Sequence, residues 1–327
     1  MRYSPQEKQE IIQLVDGSEI GVTRTLKELG IHKSTFYTWY EQYQQNGIEG
    51  LISGKPSSGK QVWNRIPEQE RERVAEIALD QEHLSARELA WHITDHHGYF
   101  ISESSVYRIL QEYGLMPAPA HIVLSASNEF SNKTTHPNQM WQTDFTYFKI
   151  IGWGWYYLST VLDDYSRYVV GWELCKGMKA QDAESTVRKA LMHAGIPKGK
   201  RPKLLSDNGS SYIADEFKAF LKDEGIQPIH GRVCHPQTQG KIERFNRSLK
   251  NRIKLDNYYS PEELERAIEK FIYYYNYQRY HESINNLTPA QVYYHKGERV
   301  LDKRRKTKIR TINRRRKLNQ RVAVKRE

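Results

Sequence analysis

The sequence predicts a multidomain chain, all-α over its first third and α/β over its second half. Three observations carry that expectation. Up to about residue 115, apolar residues recur at helical spacing between capping boxes and C-cap glycines. From about residue 138, runs of aromatic and β-branched residues alternate with turn signals and then with helices. Two stretches of neither kind act as linkers: SGKPSSGK at 53–60, within the helical part, and a Pro-, Ser- and Asn-rich segment at 116–138, between the two parts.

Residues 1–52 read as a first helical module. Ser4-Pro5-Gln6-Glu7 is a capping box with Pro at the first helical position, and Ile11, Ile12 and Val15 follow at helical spacing. A second helix covers about 22–29 and ends at Gly30. A third starts near Lys33-Ser34 and carries Phe36, Trp39, Tyr40 and Tyr43. Short helices joined by a Gly-containing turn outline a helix-turn-helix, whose last helix enters a major groove.

After a linker at 53–65, residues 66–115 repeat the plan. Ile66-Pro67 opens a helix, Ser85-Ala86-Arg87-Glu88 caps a second, Gly98 stops it, and Ser102 to Tyr113 forms a third. Ser34-Thr35-Phe36-Tyr37 and Ser104-Ser105-Val106-Tyr107 lie 70 residues apart and read as the starts of two recognition helices. Lys33, Ser34, Ser104 and Arg108 are the DNA-contact candidates there. A bundle that binds protein would show the same pattern.

A linker at 116–137 leads to a domain at 138–258. Trp141 to Ile150, Trp155 to Leu162 and Tyr168 to Leu174 read as strands, with turns at Gly152–Gly154 and Asp163-Asp164. A helix follows over Gln181–His193, then a strand at Pro202–Ser206, a helix at Asp215–Lys222 and a strand at Gln227–Arg232. A long helix runs from about Gln239 to Leu255. Antiparallel hairpins followed by alternating helices and strands are the ribonuclease-H-like order. Residues 259–300 read as a helical extension and 301–327 as a basic tail.

Charge placement narrows the partner. The net charge is +11, and residues 301–327 hold 13 Lys and Arg against Asp302 and Glu327, so the other 300 residues balance. A cationic tail suits a polyanion, with Arg314, Arg315 and Arg316 as its densest contacts; a solvated disordered tail is the plainer alternative. No apolar run approaches the roughly 18 residues of a membrane span, and MRYSPQEKQE lacks a signal-peptide core, so the chain is expected in the cytoplasm. Cys175 and Cys234 form neither a disulfide framework nor a zinc spacing. His92, His96 and His97 read as helix-surface residues.

Three acidic residues stand in distinctive settings: Asp144 in WQTDFTY, Asp207 in LLSDNGSSY and Glu243 in HPQTQGKIERFNRSLK, with 35 residues between the last two. An unpaired carboxylate in mid-strand is costly, and a metal is the usual reason for one. Asp207 ends a strand, where α/β sheets place ligands, although Asp-Asn-Gly alone is also an ordinary turn. Glu243, Arg247, Lys250 and Lys254 share one helix stripe, separate from the apolar stripe of Ile242, Phe245, Leu249 and Ile253. By itself that stripe could be a solvated face with one ion pair. Asp163 and Asp164 read as turn residues.

WQTDFTY, LDDYSRYVVGW, SDNGSSY and HPQTQGKIERFNRSLK resemble the catalytic core of retroviral integrases and DDE-type insertion-sequence transposases. The likeness spans about residues 138–255, and Tyr275-Asn276-Tyr277 through Leu287-Thr288-Pro289-Ala290 is similar to their endings. The His/Cys zinc module of retroviral integrases is missing, which points toward the insertion-sequence branch. The resemblance implies that Asp144, Asp207 and Glu243 ligate two Mg2+ ions, with Mn2+ as substitute. It implies strand cleavage by water followed by 3′-hydroxyl attack on target DNA, without a covalent protein–DNA bond. Lys241, Arg247, Lys250 and Lys254 become phosphate contacts. Two DNA ends must meet, so a homo-oligomer on double-stranded DNA is expected. The alternatives are a DNA-binding regulator with a silent core and a nuclease acting on RNA–DNA hybrids; A-form hybrids lack the readable major groove that a helix-turn-helix needs.

Overall fold

A computed structural model describes residue 3 and residues 5–18, 22–51, 63–115, 134–230, 240–253 and 257–324. Ser4, Cys234, Gln239 and Lys254, singled out above, lie outside the described residues. The chain divides into two compact units, residues 1–65 with 319–327, and residues 66–318.

The first unit holds α1 (Pro5–Asp16), α2 (Val22–Glu28) and α3 (Lys33–Leu51). Ile12, Val15, Leu26, Phe36 and Leu51 close its small core, the apolar positions whose helical spacing marks these elements. Lys33 and Ser34 stand exposed at the start of α3. Asn319 belongs to this unit and donates from Nδ2 to the carbonyls of Trp63 and Arg65, at 2.8 and 3.1 Å.

The second unit begins with α4 (Glu68–Asp80), α5 (Ala86–His96) and α6 (Glu103–Glu112). The capping box of α5 forms as the sequence predicts: Glu88 N donates to Ser85 Oγ, and Ser85 N donates to the Glu88 carboxylate. Val74, Leu89, Ile93, Ile101, Val106 and Leu110 fill this module's own core.

The α/β part carries β1 (Met140–Ile150), β2 (Gly154–Asp163), β3 (Val169–Cys175), α7 (Ala180–Ala194), β4 (Lys203–Ser206), α8 (Ser210–Ile213), α9 (Asp215–Glu224), β5 (Pro228–His230) and α10 (Gly240–Ile253). The sheet order is β3-β2-β1-β4-β5, antiparallel at β1–β2 and β2–β3 and parallel at β1–β4 and β4–β5. Gly152 and Gly154, at φ 81° and 91°, give the β1–β2 turn a backbone that L side chains disfavour. One sheet face packs Trp141, Val161 and Leu204 against Val187, Phe217 and Leu221 of α7 and α9. The other packs Phe148, Leu158 and Leu162 against Ile242, Phe245 and Leu249 of α10 and Ile268 of α11 (Pro261–Tyr277).

After α12 (Pro289–Tyr293), the expected basic tail is a 28-residue helix, α13 (Gly297–Val324). Among its described side chains, the buried ones are Arg304, Thr307, Thr311, Arg315 and Asn319, spaced three or four apart. In the second unit, Arg304 donates to both carboxylate oxygens of Asp95 on α5, at 2.8 and 2.6 Å. Thr311 Oγ1 accepts from Phe100 N, and Arg315 donates to Tyr99 Oη and Phe100 O. Arg315, expected as a DNA contact, is corrected to an internal anchor. Its neighbours Arg314 and Arg316 are exposed.

Candidate active site

Asp144 sits mid-way along β1, opposite Thr160 of β2. β4 covers β1 only over Met140–Gln142, so the sheet opens beside Asp144 on that side. Asp207 follows the last residue of β4 and is exposed. Gly209 N donates to Asp207 Oδ1 at 2.9 Å, and a β-carbon at Gly209 would lie 2.9 Å from that same oxygen. The turn itself would accept a side chain at 209, whose φ is −58°, but that side chain would push the Asp207 carboxylate from this position.

Glu243 lies in the first turn of α10, whose start is stitched to the sheet. Ile242 N, one of the helix's otherwise unbonded donors, donates to Gln142 Oε1 at 3.1 Å. Gln142 Nε2 donates to Asp164 Oδ1 at 2.7 Å, and Lys241 Nζ pairs with Asp164 Oδ2 at 2.7 Å. One turn later, Asn246 Nδ2 donates to Asp144 Oδ2 at 2.8 Å. Lys241, expected as a phosphate contact, is thus engaged by a buried carboxylate. Asp163, fully buried, accepts from Asn138 N, Ser166 N and Ser166 Oγ, as its reading as a turn residue requires.

The electrostatics single out Asp144. Burial, then the charge of Asp207, and more weakly that of Glu243, push its carboxyl up to about 7, against the pull of Phe145 N and Asn246. Like charges near a desolvated carboxylate raise its proton affinity in this way, and a cation would reverse it. Tyr212, buried beneath, feels both Asp144 and Asp207, and its hydroxyl lies 3.4 Å from Thr143 Oγ1. Asp144, Phe145, Thr146, Glu243, Asn246, Arg247, Lys250 and Asn251 line one open pocket of about 360 Å³.

Hard carboxylate oxygens suit Mg2+ in kind. Among the described residues, no three His, Cys, Asp or Glu side chains come together closely enough to hold a metal ion as they stand. The expected convergence therefore takes the form of mutual repulsion around Asp144, not of a closed ligand set. Asn246 and Gln142 are the site residues that the sequence reading missed. Asn246 falls one turn beyond Glu243, a signal that was present but overshadowed by the charged stripe.

Residues 134–236 and 224–289 match the integrase core domain, and residues 2–52 and 35–110 match homeodomain-like domains. The transposase for transposon Tn552 of Staphylococcus aureus is 27% identical over 251 residues, which cover 67% of this chain and 50% of that protein. The second half of the chain carries an integrase core domain, the family whose models match it. The putative transposase of IS986/IS6110 from Mycobacterium tuberculosis (strain ATCC 25177 / H37Ra) is 24% identical over 267 residues, covering 72% of this chain and 94% of that one. The chain thus spans half the length of one of these transposase relatives and nearly all of the other. A solved HTLV-2 integrase catalytic core with magnesium aligns at 26% identity and a TM-score of 0.39, over 48% of this chain and 97% of that one. In this integrase core, among the described residues, no helix is long and apolar enough to cross a membrane.

Proposed function

We propose that the chain is a DNA transposase that cuts strands at the ends of its element and joins the freed 3′-hydroxyls to target DNA. The observation that supports this is geometric: Asp144 and Glu243 line one open pocket together with Arg247 and Lys250, and the charge of Asp207 bears on Asp144. Asp144, Asp207 and Glu243 would hold divalent cations, Mg2+ or Mn2+ in its place, and bound cations would supply the charge that polarises a scissile phosphate.

The chain's own groups do the rest. Asn246 fixes the rotamer of Asp144 through its amide hydrogen, and Gly209 N holds Asp207 toward the strand end. Arg247 and Lys250 draw a phosphodiester into the pocket. Water is the first attacking group and the released 3′-hydroxyl the second, so no side-chain nucleophile is required. Lys33, Ser34, Ser104 and Arg108 of the two helical modules contact the element ends, and the exposed cations of α13, Arg314 and Arg316 among them, add sequence-independent affinity. Two ends are brought together by a homo-oligomer. Residues 1–52, 66–115 and 138–258 serve as the two reading modules and the catalytic core.

The test is incubation with labelled duplex ends and Mg2+. Wild type forms joined products, while Asp144→Asn binds the ends and joins nothing. Joining by Asp144→Asn at the wild-type rate would end the proposal, and binding without products by wild type would favour a regulator.

A further inference from the structure

The pocket opens onto a surface that the proposed chemistry does not use. From Phe145 onward, alternate residues of β1 turn to the face away from α10, and Tyr147 and Lys149 stand opposite Tyr157 and Trp155 of β2 in the strand register. Tyr147 and Trp155 are 53% and 51% exposed, and their rings meet edge to face with centroids 5.5 Å apart. Lys149 Nζ lies 5.7 Å from the centre of the Trp155 ring. Lys250 starts from α10 on the opposite face, yet its Nζ stands 4.2 Å from the centre of the Tyr147 ring. It reaches there beside the strand border that β4 leaves uncovered. Lys250 also lines the pocket with Asp144 and Glu243, so pocket and aromatic pair are continuous.

We infer that Tyr147 and Trp155, with Lys149 and Lys250, form a stacking shelf for unpaired bases of the DNA strand that passes through the Asp144 pocket. This deepens the proposed function and rests on it. Exposed rings take bases of any sequence by stacking, and ammonium groups beside them take the adjoining phosphates. One cation shared between ring and pocket is the arrangement that a strand continuing from one to the other needs. A second copy of the chain is disfavoured as the occupant. A two-fold interface through these rings would bring Lys149 and Lys250 toward their own copies.

The experiment compares affinities, without divalent cation, for two duplexes of one sequence: one fully paired, one with three unpaired bases at its end. Wild type prefers the frayed duplex by about tenfold or more, the scale of one stacked base. Tyr147→Ala and Trp155→Ala lose that preference and keep wild-type affinity for the paired duplex. Trp155→Phe retains most of it, which separates lost stacking from lost folding. Quenching of Trp155 fluorescence by the frayed end, absent in Trp155→Phe, places the bases on the ring. Asp144→Asn keeps the preference even if joining proves independent of that residue, so failure of the catalytic reading is read separately. Equal affinity of wild type for both duplexes, or a preference untouched by both alanine variants, overturns the inference. So does loss of self-association in Trp155→Ala without any change in DNA preference, which would make the surface an interface between copies.

Discussion

Replacing Asp144 by Asn should stabilise the metal-free protein at alkaline pH and leave it unchanged in acid. The Asp144 carboxyl titrates near 7 in the folded chain against an ordinary value of 3.8. Its proton affinity is raised on folding, so its favourable contribution is complete below about pH 4 and is lost as pH rises through about 7. A gap of roughly three units corresponds to about 4 kcal/mol at most, and about 2–4 kcal/mol once partial solvent access is allowed for. Asparagine keeps the acceptor for Asn246 Nδ2 and removes the charge that repels Asp207 and Glu243. The assay is urea unfolding in chelator at about pH 4, 6 and 8, followed by tryptophan fluorescence; Trp141 is fully buried in the sheet and reports the α/β core. The variant's advantage should grow with pH. Added Mg2+ should raise wild type and not Asp144→Asn. A wild type as stable as the variant at pH 8 in chelator would refute the idea that crowded carboxylates strain this strand.

Gly209→Ala puts a methyl 2.9 Å from Asp207 Oδ1, so strand joining should fall about tenfold or more while the melting temperature moves little, a split that activity and calorimetry together reveal. Arg304→Ala takes the guanidinium from Asp95, leaving it the Tyr280 hydroxyl, and should cost about 3 kcal/mol, visible as earlier melting and faster proteolysis after residue 296. Exchanging both Arg314 and Arg316 for Gln should shallow the slope of log affinity against log salt by roughly two, while Arg315→Gln should lower stability and leave that slope alone.

Much of the α/β order was legible because its elements are amphipathic and sharply punctuated. Ser85 caps α5 where predicted, Ser260 caps α11, and Gly195 and Gly225 end α7 and α9 in left-handed geometry. Asp144 was legible as a carboxylate out of place on a strand. The helix α13 was not, because what it buries is Arg304, Thr307, Thr311, Arg315 and Asn319. Apolar periodicity cannot see a helix whose docking face is held by guanidinium and hydroxyl hydrogen bonds. Lys241 was misjudged for a related reason: a basic residue beside a catalytic candidate looks poised for phosphate until its acidic partner, 77 residues away in sequence, is known. Asn246 escaped notice because its place one turn beyond Glu243 was hidden among the charges of the same helix.

The stitching of α10 to β1 also decides which chain lengths matter. Gln142 holds Ile242, and Asp144 holds Asn246, a step of two along the strand against four along the helix. Adding or removing one residue within that short helical stretch would swing Glu243 about 100° around its axis and break at least one of the two tethers. The 35 residues separating Asp207 from Glu243 are held in the same way over much of their length: Phe217 and Leu221 of α9 lie in the core, β5 pairs with β4, and Ile242 is itself a tether. The count that stands out in the primary structure is therefore set by packed elements at both ends, and a residue added within α9 or β5 would be felt at the carboxylates.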